Sequence, residues 1–153
     1  VLELNGFDVI ECNEIWHNYI ISVVVRKRMK TDLSHFAQQR THLKKEIDAY
    51  IGRFPERQVA IWGAGHQALA VISLTDLAGK IKYVVDSAVL KQGKYTPATH
   101  IAIVSPDALR SDPVEAVIVM AASYSDEVVR VLRQKFDENI NIAILRDFGL
   151  EGK

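Results

Sequence analysis

One cysteine in 153 residues, Cys12, excludes an intrachain disulfide and a cysteine-built metal cluster, and it fits a reducing compartment. It reads as a small packed side chain. Acidic and basic side chains balance at nineteen each, so bulk charge gives no argument for nucleic acid or an anionic membrane as a partner. No apolar run approaches the roughly twenty residues that span a bilayer, and the first residues lack the charged, apolar and small-residue zones of a signal peptide. A soluble, cytoplasmic protein is expected. Also missing are a nucleophile elbow, a Walker lysine and a His-Glu metal helix. His35 and His42 fall on about the same face of a predicted helix, but nothing in the sequence places a third ligand, so no metal site is assigned. The length suits one domain with a real core. Because the chain starts at Val1, inside an amphipathic segment, it reads as a piece of a longer protein.

Among few glycines, two carry the organisation of the chain. In VAIWGAGHQALAVISLTDLAGKIKYVVD, Val59 to Asp86, a short β-rich run leads into Gly63, Gly65 and Ala68 at the spacing of a G-x-G-x-x-G/A turn that opens a helix. Gly63 permits the tight turn, Gly65 lets a phosphate approach the backbone, and Ala68 lets the helix lie close to the strand. The unpartnered amides and dipole of the helix favour an anion there. Asp86 follows at about the twenty-residue distance where dinucleotide folds place the acid that holds a ribose hydroxyl. The same residues also serve a chain that needs only a tight βα turn and a loop cap.

Taken in order, Gly6–Ile15 and Tyr19–Arg28 are β-rich runs around a polar turn at His17 and Asn18, which predicts an antiparallel hairpin. Its second strand, IISVVV, is apolar nearly throughout, so the hairpin needs a larger sheet or a second chain as cover. Arg26, Lys27, Arg28 and Lys30 read as a solvated basic strand end. Thr31 or Asp32 caps a helix with an apolar stripe at Leu33, Phe36, Leu43, Ile47 and Tyr50, stopped by Gly52 and Pro55. A helix from His66 to about Leu77, ended by Gly79, separates strands at 58–61 and 81–85. A structured loop with Gly93 and Pro97 leads to a short strand at 101–104 and a helical turn at 106–109. Val114–Ala121 is the strongest buried strand, Ser123 with Asp126 marks a helix start, and Asn141–Leu145 is a last strand. The expected fold is α/β: a Rossmann-like parallel sheet with helices on both faces, preceded by a β-hairpin and a connecting helix. The domains are 1–30 (hairpin), 31–55 (connecting helix) and 56–153 (Rossmann-like).

Open parallel sheets bind ligands at the carboxyl ends of their strands. The segments leaving those ends, 62–66, 86–100 and 121–125, hold His66, Asp86, Lys91, Lys94, Tyr95, Thr96, His100, Ser123 and Tyr124. Two lysines, glycine amides and a helix N-terminus suit a diphosphate, and Trp62, Tyr95 or Tyr124 can stack on a base or sugar. His66 and His100 could each serve as a general base, but no carboxylate is placed to orient either, so no catalytic residue is assigned. From the residues alone this is a nucleotide-binding module.

The run DSAVLKQGKYTPATHIAI, Asp86 to Ile103, resembles the D-x-x-x-x-K-Q-G-x-Y-T-P-G-T-H-I-x-I signature of the C-terminal domain of sugar C-methyltransferases. The likeness extends to the glycine turn at Gly63 and Gly65 and to Ser125-Asp126-Glu127-Val128 after the apolar strand. Ala98 stands where the family has glycine, and AASYS where it has a tryptophan and an asparagine. The hairpin, with Gly6, Phe7 and Val9, resembles the closing strands of the family's S-adenosylmethionine domain. The resemblance implies a parent enzyme that moves a methyl group from S-adenosylmethionine to a ring carbon of a nucleotide-linked keto-sugar. Its cysteine-rich zinc motif, cofactor loop and catalytic base lie in parts outside this chain, which by itself is expected to be inactive and not to bind S-adenosylmethionine. It implies a sugar-nucleotide cleft shaped by Lys91, Gly93, Tyr95, Thr96 and His100, to which the reading of the strand ends adds Gly63, Gly65, His66, Ser123 and Tyr124; the N-terminal methyltransferase domain and a second copy are the expected partners. The alternatives are an NAD-binding module that uses Gly63, Gly65 and Asp86, and a scaffold or dimerisation domain that binds nothing.

Overall fold

The computed structural model describes residues 1–29, 32–136, 139–147 and 149–152. Lys30 of the basic cluster and Thr31, one of the two expected helix caps, lie outside them. The chain divides into two compact units, Val1–His35 and Phe36–Lys153. In the first, β1 (Phe7–Ile15) and β2 (Ile20–Lys27) form an antiparallel hairpin. Trp16, His17 and Asn18 all take positive φ (50°, 59° and 64°) to turn the chain. A bulge between Val9 and Glu11 breaks the simple alternation of β1. Cys12 is exposed on this strand, not packed. Ile10, Ile21 and Val24 are exposed as well. By itself, a two-stranded sheet cannot bury such side chains.

Helix α1 (Ser34–Ile51), all but its first two residues in the second unit, is followed there by β3 (Val59–Trp62), α2 (His66–Leu74), β4 (Val84–Val85) and β5 (Ile103–Val104). Then come α3 (Ala108–Ser111), β6 (Ala116–Val119), α4 (Ser125–Lys135), β7 (Asn141–Arg146) and β8 (Gly149–Gly152). The six strands lie in the order β5-β4-β3-β6-β7-β8, parallel except for β8. Counted from β3 this is the 3-2-1-4-5-6 order of the Rossmann fold, so the chain is α/β and Rossmann-like. The order reverses between β3 and β6.

Alternation within single strands explains the three layers. Val59 and Ile61 pack on one face with Ile47 of α1 and Ala68 and Ile72 of α2, while Ala60 and Trp62 pack on the other with Leu109 of α3 and Leu132 of α4. Helices therefore cover both faces, and each strand must be apolar on both sides. Among the described residues no helix is long and apolar enough to cross a membrane.

Several ends differ from the expected ones. The Ser34 amide donates to Asp32 Oδ1 at 2.9 Å, so Asp32 caps α1. Leu33 and Phe36 are exposed, so only the later part of the expected stripe packs on the sheet. Helix α2 stops before Gly79: Asp76 takes φ 58°, the Asp76 amide donates to the Ser73 carbonyl and the Leu77 amide to that of Ile72. That is a Schellman motif with aspartate in the left-handed position, sealed by the buried pair Ile72 and Leu77. A 3-10 turn at Ala122–Tyr124 precedes α4, which begins at Ser125 and not at Ser123. The short helix α3 sits two residues beyond the expected turn, and β8 was not expected.

Candidate functional site

Where the strand order reverses, the carboxyl ends of β3, β4 and β6 surround a cleft of about 580 Å³. Its walls include Gly63, Gly65 and His66 after β3, Asp86 and Lys91 after β4, and Ala121 and Tyr124 after β6. Three separated stretches of sequence thus reach one rim because parallel strands all end there.

The two glycines differ in kind. Gly63 holds φ +123° and donates its amide to the Val85 carbonyl at 2.8 Å, and a Cβ built on it would run into the Met120 carbonyl. It lets the chain pass between the ends of β4 and β6. Gly65 has an extended backbone, φ −89° and ψ 175°, and a Cβ there would meet open space. Among the described residues nothing demands glycine at 65, which lines the cleft at the start of α2. Among the described residues no side chain caps that helix, and the first amides of an α-helix lack intrahelical acceptors. An anion there would meet backbone donors and the positive end of the helix dipole.

Asp86 is committed to the fold around it. Oδ2 accepts the Ala64 amide at 2.8 Å and the Lys91 ammonium at 3.0 Å, while Oδ1 accepts the Ala88 amide at 2.8 Å. The residue is only 8% exposed. Burial by itself would raise its carboxyl, but hydrogen bonds from Ala88, Lys91 and Ala64 outweigh that and hold it below the usual carboxylate range. Glu127 is the second carboxylate on the wall, and Gln67 and Ser87 add neutral polar groups. None of these three was assigned to the site from sequence. Gln67 follows the glycine turn by two residues and Ser87 follows Asp86 by one, so their positions carried a signal.

Trp62 is buried and packs edge-to-face on Phe136 at 6.1 Å, so it offers no free face to a base. Tyr124, 67% exposed on the rim, does. Ser123 is exposed beside it and does not line the cleft, whereas Ser125 turns inward and its Oγ accepts the Ala121 amide at 3.3 Å.

Gly93, Tyr95, Thr96 and His100 do not line this cleft but shape the loop beyond it. The Gly93 amide donates to the Ile103 carbonyl at 2.9 Å, and Tyr95 bridges to Ala102. Buried Thr96 accepts the Ile101 amide on Oγ1 at 2.8 Å and shares a hydrogen bond with Thr99 Oγ1 at 2.7 Å. Ala98 and His100 take positive φ, 61° and 55°. The Tyr95 and His100 rings stack at 4.4 Å, nearly parallel. Lys94 lies against this loop and not in the cleft. Among the described residues no group of three His, Cys, Asp or Glu side chains is placed to hold a metal ion.

No curated protein matches the chain. Among solved structures it is similar to one described as UDP-D-quinovosamine 4-dehydrogenase from Vibrio fischeri, at 12% identity and a TM-score of 0.48, covering 65% of this chain and 94% of that one. A family model described as the C-methyltransferase C-terminal domain matches residues 26–144, from the end of the hairpin into β7, the fifth of the six strands of the sheet in chain order. The chain belongs to the family of C-methyltransferase C-terminal domains.

Proposed function

We propose that this domain holds a nucleotide-linked keto-sugar against the catalytic domain of its parent enzyme, which uses S-adenosylmethionine to methylate a ring carbon of that sugar. The observation that carries the reading is the meeting of His66, Lys91 and Tyr124, from three loops, on one cleft. A diphosphate suits the amides that open α2 and the Lys91 ammonium, and the exposed ring of Tyr124 suits a base or sugar. Gly93, Tyr95, Thr96 and His100 act at one remove, as the loop that fixes the far side of the Asp86–Lys91 segment.

Under this reading the cleft holds no adenosine cofactor. The acid that would hold its ribose hydroxyls is Asp86, and three internal donors already occupy both oxygens of that carboxylate. S-adenosylmethionine and NAD are therefore assigned no residues here, and no catalytic group is assigned either. The open hairpin of the first unit supplies a strand edge for a partner sheet, that of the parent's methyltransferase domain or of a second copy. The setting is cytoplasmic, where the exposed Cys12 stays a thiol.

Titration of the chain with a uridine or thymidine diphosphate sugar, with NADH and with S-adenosylmethionine tests the assignment. Binding of the diphosphate sugar alone is the expected result. Binding of NADH moves the assignment to a redox module, and binding of none of the three leaves a scaffold.

A further inference from the structure

Resting on the reading of the cleft as a nucleotide-sugar site, we propose that Asp86 is a positioning residue that acts through Lys91, holding its ammonium at the glycine turn to meet the ligand's diphosphate. Among the described residues on the cleft wall, Lys91 is the one side chain with a permanent positive charge, against the two carboxylates of Asp86 and Glu127. An anionic ligand gains little from the summed charge of such a wall. It gains from where the single cation is fixed.

A lysine ammonium rides on four rotatable bonds and is costly to hold in one place unless the protein has already done so. Here it has. The segment from Asp86 to Gln92 winds around the Asp86 carboxylate and carbonyl: the Ala88 amide donates to Oδ1 at 2.8 Å, the Lys91 amide to the Ala88 carbonyl at 2.9 Å, and Gln92 Nε2 to the Asp86 carbonyl at 3.0 Å. The Lys91 ammonium then returns to Asp86 Oδ2 at 3.0 Å. That oxygen also accepts the Ala64 amide, between the two glycines, at 2.8 Å. One atom thereby ties the cation to the turn whose following amides would face an anion. Asp86 takes one of the three ammonium donors of Lys91, which leaves two for phosphate oxygens. The depressed carboxyl of Asp86 keeps the arrangement charged at neutral pH.

A double-mutant cycle read by calorimetric titration with uridine diphosphate tests this on the whole chain. Lys91→Met is expected to weaken binding about tenfold, the scale of one charge-assisted hydrogen bond. Asp86→Asn should weaken it by a similar factor with Lys91 present and by less than about twofold in the Lys91→Met background, since the two act as one unit. An equal loss from Asp86→Asn in both backgrounds means that Asp86 acts only through Ala64, and it overturns the proposal. Tighter binding by Asp86→Asn overturns it too. No binding by the unsubstituted chain rejects the reading of the cleft itself, and this proposal falls with it; the other two failures leave that reading standing. Should Asp86→Asn not fold, the Lys91 ζ-nitrogen resonance of the unsubstituted chain decides. It should shift together with the Ala64 amide as uridine diphosphate is added, and a stationary resonance overturns the proposal.

Discussion

At the scale of single residues, two glycines of one fingerprint are under different constraints, and substitution separates them. Gly63→Ala forces a Cβ against the Met120 carbonyl at a φ that L-residues rarely adopt. It should cost about 3 kcal/mol of stability or more, read as a lower midpoint in urea unfolding. At Gly65 a Cβ meets open space on an extended backbone, so Gly65→Val should cost about 1 kcal/mol or less, the scale of losing glycine at an N-cap. Binding of the diphosphate sugar should then fall about tenfold, because the new side chain stands over the amides that open α2. A stability loss for Gly65→Val as large as that for Gly63→Ala would show that both glycines serve only the turn. The spacing of small residues made the glycine turn legible in the sequence. The fate of Asp86 was not, because spacing places a carboxylate at a strand end without saying whether it faces a ligand or turns inward. The Ala88 amide is a local Asx-turn partner, but the donors from Ala64 and Lys91 come from positions that no local pattern links to it. Ala98 is similar: only the folded loop shows that alanine holds a left-handed φ of 61° at the position where the resembling family has glycine.

At the scale of elements, β3 and β6 were legible because strands covered on both faces are apolar at every position. Strand β8 was not. Its four residues, Gly149–Gly152, include two glycines and no alternation, and it exists because it pairs antiparallel with β7 at the sheet edge. Arg146 helps to hold it there, with Nε donating to Glu151 at 3.0 Å while NH2 reaches Asp126 of α4 at 2.6 Å. The end of α2 was misplaced because aspartate, not glycine, takes the left-handed position of its Schellman motif. Helix α1 shows how far a periodic stripe can be trusted. Its apolar spacing runs from Leu33 to Tyr50, yet Leu33 and Phe36 stay exposed while Leu43, Ile47 and Tyr50 pack among residues of β3 and α2. The pattern tells which side chains share a face, and the reach of the sheet decides how many of them are covered. Ile47 is completely buried there, so Ile47→Ala should cost about 2–5 kcal/mol and lower the single unfolding transition of the sheet. Loss of helix signal at an earlier midpoint, with the sheet transition unmoved, would mean that α1 is not part of the cooperative unit.

At the scale of the whole chain, two units solve the burial problem unequally. Phe36–Lys153 encloses apolar side chains on both faces of a six-stranded sheet, while Val1–His35 has two strands and leaves Ile10, Ile21 and Val24 in water. Exposed apolar surface costs about 25 cal/mol per Å², and a free strand edge offers unpaired amides and carbonyls to any other strand. Charge on the hairpin biases how such an edge is used. β1 carries Asp8, Glu11 and Glu14, so two copies of it side by side would oppose like charges, whereas β2 is uncharged from Ile20 to Val25 and carries Arg26 and Lys27 only at its end. The edge of β2 is accordingly the one open to pairing. When no other domain covers it, the chain should self-associate as concentration rises. Sedimentation velocity should show a species larger than a monomer for residues 1–153 and a monomer for the chain begun at residue 31. Monomers in both would mean that the hairpin edge recruits nothing, and association that persists without residues 1–30 would move the contact to the sheet domain.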